Sequence, residues 1–428
     1  MGTRGDAEPG FRLAAALKDR GHVPLVVSLD AYKKEAVERW GLDFRSCGIS
    51  KVPLSEEYLT GSTRADQVYA DRGWYGDAWT TVGKQIFAAA TEHQCDVIVA
   101  TSMGNTHSLD VAEELGILCM ALKFCPDIDG QVPTGSFPPS GYPNIPGPAN
   151  FFLHMVENLR TVAAVFRGGF IPKVIEFRTA LGLPSQEIPF VMEVPTYSPY
   201  RQVLQANQPS LYAFSRALVD VPPEYQSWHF VPGFFAPQAS DTDLTASLQE
   251  FLKIEAPVCI AFGSMTLARS APFEERAVEA ARRQGKPVLI VDPDAESEGV
   301  SPDDPSVFRL RSAPYSALFP RCCLVVHHGG AGTLQDCLVA GTAQLVAPVL
   351  SWSDQPFWAA ALEEKGLGVA LGGGGEAPEA GSWDAAYQRC FQGLQEFQQA
   401  ARALSDAMAK EGGVDAACQV IEDALLGA

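Results

Sequence analysis

The sequence predicts an α/β protein built from two doubly wound, Rossmann-like domains that face each other across a cleft. Short apolar runs of strand type alternate with amphipathic helical stretches along most of its 428 residues. A Pro-rich stretch divides the chain near its middle, and a Gly-rich turn joins a buried strand to a helix in the second half. A chain of this length has room for two such domains.

Composition limits the kinds of partner that the protein can have. Hydrophobic residues make up 46% and charged residues 19% of the chain, as in an ordinary soluble globular protein. The formal net charge of −19 argues against a nucleic-acid partner and against electrostatic docking on an anionic membrane. It does not exclude a phosphate ligand, because a phosphate contact depends on local groups.

The ten cysteines are scattered and lack the Cys-x-x-Cys or Cys/His spacing of a zinc site. Several of them lie in apolar runs, where a reduced cysteine is a small hydrophobic residue. The sequence shows no apolar run long enough to span a bilayer and no signal-peptide pattern. These features predict a protein with free thiols in the cytoplasm.

The first half of the chain opens at a turn and enters a helix over residues 11–20, followed by a strand over 23–29. A doubly wound domain normally has a strand before that turn, so the first strand is expected to be missing or shortened. Strands over 97–100 and 117–122, with a helix between them, predict a parallel sheet. His107 lies at the mouth of this second unit.

The Pro-rich stretch 219–237 places the domain boundary near residue 235. The predicted domains are therefore residues 1–235 and 236–410, followed by a C-terminal helical segment, 411–428. Within the second domain the pattern predicts strands over 258–262, 288–291 and 308–310, helices over 272–284 and 383–409, and a solvated acidic loop over 296–305.

The most informative stretch is the Gly-rich turn 328–333. It follows an apolar strand, 324–326, and precedes a helix, 334–340, that Gly341 can end. A second buried strand is predicted over 344–349. A strand-to-helix turn of this kind directs backbone N–H groups and the positive end of a helix dipole at one spot, which suits a phosphate. Glycines let the anion approach the backbone, and a histidine can donate a hydrogen bond to it.

Asp354 and Gln355 follow the next predicted strand. The carboxyl ends of neighbouring parallel strands meet at one edge of a sheet, where α/β proteins bind ligands. A carboxylate and an amide suit the hydroxyls of a sugar, so the combination predicts a nucleotide-sugar site. Gly-rich strand-to-helix turns also occur without any ligand, and this alternative stays open for the turn alone.

The spacing from His328 to Gly341, with the Asp354-Gln355 pair beyond, resembles the donor signature of the UDP-glycosyltransferases of GT-B fold. It is closest to the branch of sterol glucosyltransferases and of enzymes that glycosylate antibiotics and lipids. The resemblance covers nearly the whole chain, and it is strongest over residues 1–22, 258–265 and 311–358. It implies two facing Rossmann-like domains, with a last helix that crosses back onto the first.

The resemblance also implies roles for particular residues of the second domain. Asp336 would reach the ribose, and Asp354 with Gln355 would grip the hexose. The loop 348–354 is about two residues longer than usual and contains Trp352, which leaves the choice of sugar open. The groups implied to hold the diphosphate are His328, Gly330, Ala331, Gly332 and Thr333.

Two further turns carry implied donor contacts. Ser264 follows a strand and would bind a donor phosphate, although a hydroxyl there also suits a helix cap. The backbone at Ala313 would pair with the nucleobase. Ser312 stands where plant relatives carry a tryptophan that stacks on the base, so uracil and thymine both stay open. Thr3 and Arg4 would touch the diphosphate from across the cleft.

The first residues resemble the family's opening, and this resemblance implies that Asp6 is the general base. A hydroxyl is a poor nucleophile at neutral pH, and a positioned carboxylate can take its proton as the new bond forms. Asp6 also suits the N-cap of the following helix, which is the alternative reading. His107 would help the base or line the acceptor pocket, unless it is a polar residue satisfied at a helix start.

Together these features predict an inverting glycosyltransferase that moves a hexose, with glucose preferred, from a UDP-sugar to a hydroxyl of a mostly apolar acceptor such as a sterol, lipid or polyketide. No cofactor and no metal are expected. We expect a monomer or dimer, with peripheral membrane contact if the acceptor is a lipid. A catalytically inactive homologue is the alternative. A dinucleotide-dependent oxidoreductase is disfavoured because no Gly-x-Gly-x-x-Gly fingerprint is present.

Overall fold

The residues that the structure describes form three β-sheets of two, four and seven strands, with helices packed around them. The computed structural model describes residues 4–50, 76–126, 147–153, 155–156, 170–184, 208–223, 225–236, 244–263, 267–350, 353–372 and 376–427. Within these residues no helix combines the length and apolarity needed to cross a bilayer.

Strands and helices alternate along the chain. The strands are β1 (Leu25–Ser28), β2 (Asp43–Ser46), β3 (Val97–Thr101), β4 (Leu118–Lys123), β5 (Ser210–Tyr212), β6 (His229–Phe230), β7 (Val258–Ala261), β8 (Val288–Val291), β9 (Gly299–Ser301), β10 (Asp304–Leu310), β11 (Leu324–His327), β12 (Gln344–Val346) and β13 (Gly368–Ala370). The main helices are α1 (Arg4–Asp19), α2 (Trp79–His93), α3 (Ser102–Leu115), α4 (Phe170–Leu181), α5 (Ala246–Phe251), α6 (Leu267–Arg283), α7 (Tyr315–Leu318), α8 (Ala331–Val339), α9 (Gln355–Glu364), α10 (Ala380–Gln392), α11 (Leu394–Met408) and α12 (Gly413–Gly427).

The sheet of the C-terminal half has the order β13-β12-β11-β7-β8-β10-β9 and is parallel except at the β9–β10 edge. Its central strands are buried on both faces, because α6 and α10 cover one face and α5 and α8 the other. This burial explains their continuous apolar sequences. The predicted α/β class with parallel, doubly wound sheets is confirmed.

Three details of the C-terminal half differ from the sequence-based expectation. The acidic stretch 296–305 was predicted as a solvated loop, but part of it forms β9 and the start of β10. The Asp304 carboxylate accepts the N–H of Ser306 at 3.0 Å and shapes that edge hairpin. The predicted helix 383–409 is two helices that meet at Gly393, where an added Cβ would lie 2.8 Å from the Phe397 ring.

The strand after the glycine turn is also shorter than predicted. β12 ends at Val346 rather than at residue 349. The N–H groups of Val349 and Leu350 both hydrogen-bond to the side chain of Gln355 instead of continuing a ladder. Hydrogen bonds from a side chain thus replace sheet pairing at this point.

The N-terminal half contains two separate parallel sheets, β1-β2 and β3-β4-β5-β6. Both lie over one apolar core, because Val27 of β1 and Ile98 of β3 pack against the same cluster of buried residues, which includes residues of α2. Helix α1 contacts both β1 and β3. Among the described residues no strand hydrogen-bonds β1 to β3, so each of these strands has an unpaired edge on that side.

The last helix of the chain, α12, packs against the N-terminal half. Leu13 and Ala16 of α1 share a core cluster with Ala417 and Ile421 of α12. At the surface, the Nε of Arg20 donates a hydrogen bond to the carboxylate of Glu422 at 2.9 Å. The C-terminal helix therefore packs on the first helix of the N-terminal half.

The unpaired edges predict an effect of adding one strand. A strand that leads into α1 would run parallel to β1, because such crossovers connect parallel neighbours. Fusing five Val- and Ile-rich residues ahead of Met1 is expected to raise the melting temperature by several degrees and to slow hydrogen exchange of β1 and β3 amides together. The same extension with two central prolines, which cannot donate ladder bonds, is the control. Unchanged exchange in both strands would contradict this interpretation.

Candidate active site

The glycine turn lies at the carboxyl edge of the central sheet. β7 and β11 are parallel neighbours, with Ala261 opposite His327, so the turns that follow them lie side by side. Helix α8 begins at Ala331, with Gly330 as its N-cap residue, and in the described part of the chain no side chain caps it. The first N–H groups of this helix can therefore bind an anion.

The glycines of this edge leave room for the His328 ring. A Cβ added at Gly330 would lie 2.5 Å from Nε2 of His328, and one added at Gly263 would lie 3.0 Å from its Cε1. The ring therefore fits between two bare backbones. In contrast, a Cβ at Gly332 would meet no atom of the described residues within 4 Å. The Cβ direction of Gly332 in the first turn of α8 is therefore free of packed side chains of the described residues.

His327 is a functional residue that sequence reasoning missed. Its Nδ1 accepts the N–H of Gly329 at 3.1 Å, and its Nε2 lies 2.9 Å from Oε1 of Gln344. These partners require the proton on Nε2 and fix the course of the turn. Burial, with a smaller effect of neighbouring His328, lowers the pKa of His327 to about 3. The pair of adjacent histidines after a strand was the only signal for this role.

His328 is positioned to meet an anion as a neutral group. Burial lowers the pKa of His328 to about 4, and the nearby carbonyl of Ala261 offsets only part of this effect. At physiological pH the imidazole is therefore uncharged, with a single N–H that either the Ala261 carbonyl or a bound phosphate can accept. Its chemical contribution to a bound phosphate would be a hydrogen bond rather than a full positive charge.

Asp354 and Gln355 lie at the same sheet edge, after β12, and both have internal partners. The Gln355 oxygen Oε1 accepts the N–H groups of Val349 and Leu350, each at 2.9 Å. The Asp354 oxygen Oδ2 accepts the indole N–H of Trp358 at 2.9 Å. These bonds hold the loop after β12 in place. Contact between this pair and a sugar stays a prediction.

The implied nucleobase turn leads into α7. Ala313 is half-buried there, and the Tyr315 ring stacks on Phe319 with centroids 4.2 Å apart. Burial raises the pKa of Tyr315, while the guanidinium of Arg4 has the opposite effect on it. Arg4 belongs to the first turn of α1, so the start of α1 lies beside this turn of the C-terminal half.

One face of α1 is turned toward the C-terminal half. Arg4, Glu8 and Arg12 are spaced four residues apart and form a continuous ridge. The Arg4 Nε donates to Glu8 at 3.3 Å, and the Arg12 Nη2 donates to Glu8 at 2.8 Å. Arg12 also lies 3.7 Å from the carboxylate of Asp336 on α8. Sequence reasoning missed Glu8 and Arg12, although their charge spacing was a visible signal.

Asp6 lies on a different side of α1. It stands inside the helix, two residues after Arg4, so the alternative reading of Asp6 as the N-cap is wrong. Gly10, one turn later on the same side, has the Cγ2 of Thr101 4.0 Å from its ideal Cβ position. Thr101 ends β3, so this side of α1 is turned toward the carboxyl end of the N-terminal sheet. Burial raises the pKa of Tyr32 to about 12, and the nearby Asp6 carboxylate adds to that effect.

The structure does not bring His107 to this site. His107 is completely buried, with its ring centroid 3.9 Å from that of Trp79 in a tilted arrangement and edge-on to Phe177 at 5.6 Å. Its Nε2 lies 3.1 Å from the carbonyl of Trp79. This aromatic setting favours the alternative of a core histidine over a catalytic role. Two other predicted residues, Thr3 and Ser264, lie outside the described residues.

Comparisons with known proteins agree with this geometry. The family model for the C-terminal domain of erythromycin biosynthesis protein CIII-like proteins matches residues 281–420. An O-mycaminosyltylonolide 6-deoxyallosyltransferase of Streptomyces fradiae is 29% identical, over 99% of this chain and 96% of its own. A sterol 3-beta-glucosyltransferase of Neurospora crassa is 25% identical over 98% of this chain, which spans only 26% of the fungal protein.

The fold is also that of a solved glycosyltransferase. The crystal structure of the glycotransferase of kitacinnamycin superposes with a TM-score of 0.67 at 17% identity, over 99% of this chain and 96% of the other. The chain is therefore a glycosyltransferase of the GT-B fold. Within that class it is of the antibiotic and sterol type, with an EryCIII-like C-terminal domain.

The open space at Gly332 provides a sharp test of the anion site. In Gly332→Ala the new methyl group would occupy that space, so uridine diphosphate is expected to bind at least about tenfold more weakly, about 1.4 kcal/mol. The fold should not suffer, because alanine is about 1 kcal/mol more favourable than glycine within a helix. Calorimetric titration and thermal melting measure the two effects.

Gly381→Ala is the matched control for this test. Gly381 is also the second residue of a helix, α10, and its added Cβ also meets nothing within 4 Å. This variant should bind the nucleotide like the wild type. Equal affinity of both variants for uridine diphosphate would show that the anion lies elsewhere.

Proposed function

We propose that this protein transfers a hexose from a UDP-sugar, with inversion at the anomeric carbon, to a hydroxyl of a mostly apolar small molecule. The observation that supports the proposal most strongly is the uncapped start of α8, which opens on free space beside His328. Helix α1 of the other half lies against α8 and carries the candidate base, Asp6. An anion site and a carboxylate are thus presented by two helices in contact.

The donor diphosphate would lie at the first turn of α8. The N–H groups of Ala331, Gly332 and Thr333 are directed along the helix axis toward it, and the helix dipole favours its charge. Neutral His328 adds one hydrogen bond. Ser264 would contribute its hydroxyl from the neighbouring turn. These groups act without metal-ion coordination in the proposed mechanism.

The acceptor would lie on the side of the N-terminal sheet. Gly10, one turn after Asp6 on the same side of α1, lies beside Thr101 at the carboxyl end of β3, so an alcohol bound at this end would lie near Asp6. Phe151 and Phe152, with 46% and 68% of their surface exposed, add apolar area to the N-terminal half. The acceptors named for the two relatives are O-mycaminosyltylonolide and a sterol. We carry over from them the class of a hydroxylated, mostly apolar small molecule.

In the proposed reaction Asp6 accepts the proton of the acceptor hydroxyl as its oxygen attacks the anomeric carbon. The bond from that carbon to the diphosphate oxygen breaks at the same time. Attack from the face opposite the leaving group inverts the configuration. The negative charge that develops on the diphosphate is stabilised by the α8 N–H groups, which are already oriented before the reaction.

The donor sugar and the nucleobase are inferred from the named relatives and from the resemblance. The relatives named above transfer 6-deoxyallose and glucose, so a hexose is the shared class and glucose the first to test. The loop after β12, held by Gln355, would present Asp354 to the sugar hydroxyls. The backbone at Ala313 would pair with uracil. Competition between uridine and thymidine diphosphates decides between the two bases.

A catalytically inactive homologue that only binds a ligand is the second candidate. The observation that favours it is the split N-terminal sheet, since β1 and β3 lack a strand that joins them among the described residues. A split sheet would position Asp6 and the acceptor less rigidly than catalysis requires. Hydrolysis or transfer of UDP-glucose by the wild type would dismiss this candidate.

The role of Asp6 is tested by Asp6→Asn. The amide keeps the size of the side chain but cannot accept the proton, so transfer is expected to fall about 10²- to 10⁴-fold while uridine diphosphate affinity stays unchanged. The rate is measured by mass spectrometry with UDP-glucose and a panel of sterols, polyketides and lipids. Asp19→Asn, at the exposed end of the same helix, is the control and should leave the rate unaltered. Full activity of Asp6→Asn would exclude it as the base.

A further inference from the structure

The side chain of Arg12 lies at the junction of three segments: α1, α8 and the link between the two halves. Its Nη2 donates to Glu8, and its Nη1 donates to the backbone carbonyl of Phe235. The guanidinium carbon lies 5.9 Å from the ring centroid of Phe234. The side chain is only 10% exposed. A planar guanidinium with several donors suits such a junction, because it can bind several acceptors in fixed directions.

The partner of Arg12 on α8 is Asp336. The two side chains are 3.7 Å apart, and that of Asp336 is only 9% exposed. At this distance the contact is an ion pair rather than a hydrogen bond. The Asp336 oxygen Oδ1 is buried and accepts no hydrogen bond from the residues described. Its ionised form therefore depends on the charge of Arg12 for stabilisation, since an uncompensated buried carboxylate is strongly unfavourable.

The same stretch of α8 has a second contact with the N-terminal half. Oε1 of Gln335 accepts the backbone N–H of Ser215 at 3.0 Å, and this side chain is also buried. Successive residues of α8 thus contact α1 and the segment after β5. Because a helix moves as a unit, these contacts determine where the start of α8 stands relative to the N-terminal half.

We propose that the Arg12–Asp336 contact fixes α1 against α8 and so sets the distance between the Asp6 carboxylate and the bound donor. This inference rests on the proposed function, because it assigns Asp6 and the start of α8 to the reaction. Arg12 is then a positioning residue, since it touches neither the donor nor the acceptor. Displacements of about 1 Å in such an arrangement reduce rates by about 100-fold.

The contact should also respond to pH. Burial raises the pKa of Asp336 to about 7, and Arg12 acts against that rise. Below this pH the carboxyl is neutral and the ion pair is lost; above it the pair forms, so turnover should increase as pH rises through about 7. The titratable and charged groups that act on Asp336 or respond to its charge are Arg12, Glu8, Arg39, Tyr315 and Cys337.

The test compares Arg12→Met, Arg12→Lys and Asp336→Asn in the full chain. Arg12→Met is expected to lower kcat for UDP-glucose about 10- to 100-fold, with uridine diphosphate affinity within about threefold of the wild type. It should also move the rise of kcat to higher pH, because the cation that favours the carboxylate is gone. Asp336→Asn should abolish that rise. Arg12→Lys should restore part of the rate.

Arg20→Met is the matched control, because Arg20 directly follows the same helix and pairs with Glu422 of α12 instead of α8. It should keep the wild-type kcat and pH profile. An active wild type whose kcat and pH profile are unaltered in folded Arg12→Met or Asp336→Asn overturns the inference but not the proposed function. Parallel loss of nucleotide affinity would also overturn it, because Arg12 would then act on donor binding, through the implied ribose contact of Asp336, and not on the distance to Asp6. A wild type without transfer or donor hydrolysis overturns the proposed function and this role together.

Discussion

The central constraint of the structure is the open start of α8. A helix that begins without a side-chain cap leaves backbone N–H groups without partners, and such an end is stable only in contact with water or an anion. Here the parallel sheet places that end at its carboxyl edge, and the bare backbone of Gly332 faces open space. In our proposal His328, Asp354 and α1 all act on a ligand bound at the start of α8.

The surrounding residues preserve that opening by bonding to one another. His327 holds Gly329 through its ring nitrogen, and Gln355 holds the backbone after β12. Both are buried and polar, and both bond to the turns that they shape; the second ring nitrogen of His327 bonds to Gln344 of β12. The turn is thus fixed before any ligand arrives, which is the condition for electrostatic stabilisation of a leaving group.

Much of this arrangement could be predicted from the sequence. The apolar runs of β7 and β11 indicated buried parallel strands, and the glycine turn between β11 and α8 indicated the anion site. Asp6 was identified through resemblance, not through periodicity, which would have assigned it only as a helix cap. Gly341, expected to end α8, does follow the helix in the left-handed conformation with φ of 66°.

The rest depended on contacts between segments that are distant in the sequence. The pairing of Arg12 with Asp336 joins residues 324 positions apart (336 − 12), and no local pattern indicates it. Spacing placed His107 near a strand end, but its contacts with the rings of Trp79 and Phe177 show that tertiary packing buried it. The hairpin of β9 and β10 was hidden by acidic and Pro-containing composition, which is typical of loops.

A crystal structure of the protein with uridine diphosphate tests the central claim most directly. The diphosphate oxygens should lie within about 3.2 Å of the N–H nitrogens of residues 331–333, with the Asp6 carboxylate facing the same cleft from α1. A diphosphate bound away from the start of α8, or an Asp6 carboxylate directed out of the cleft in the complex, would contradict it.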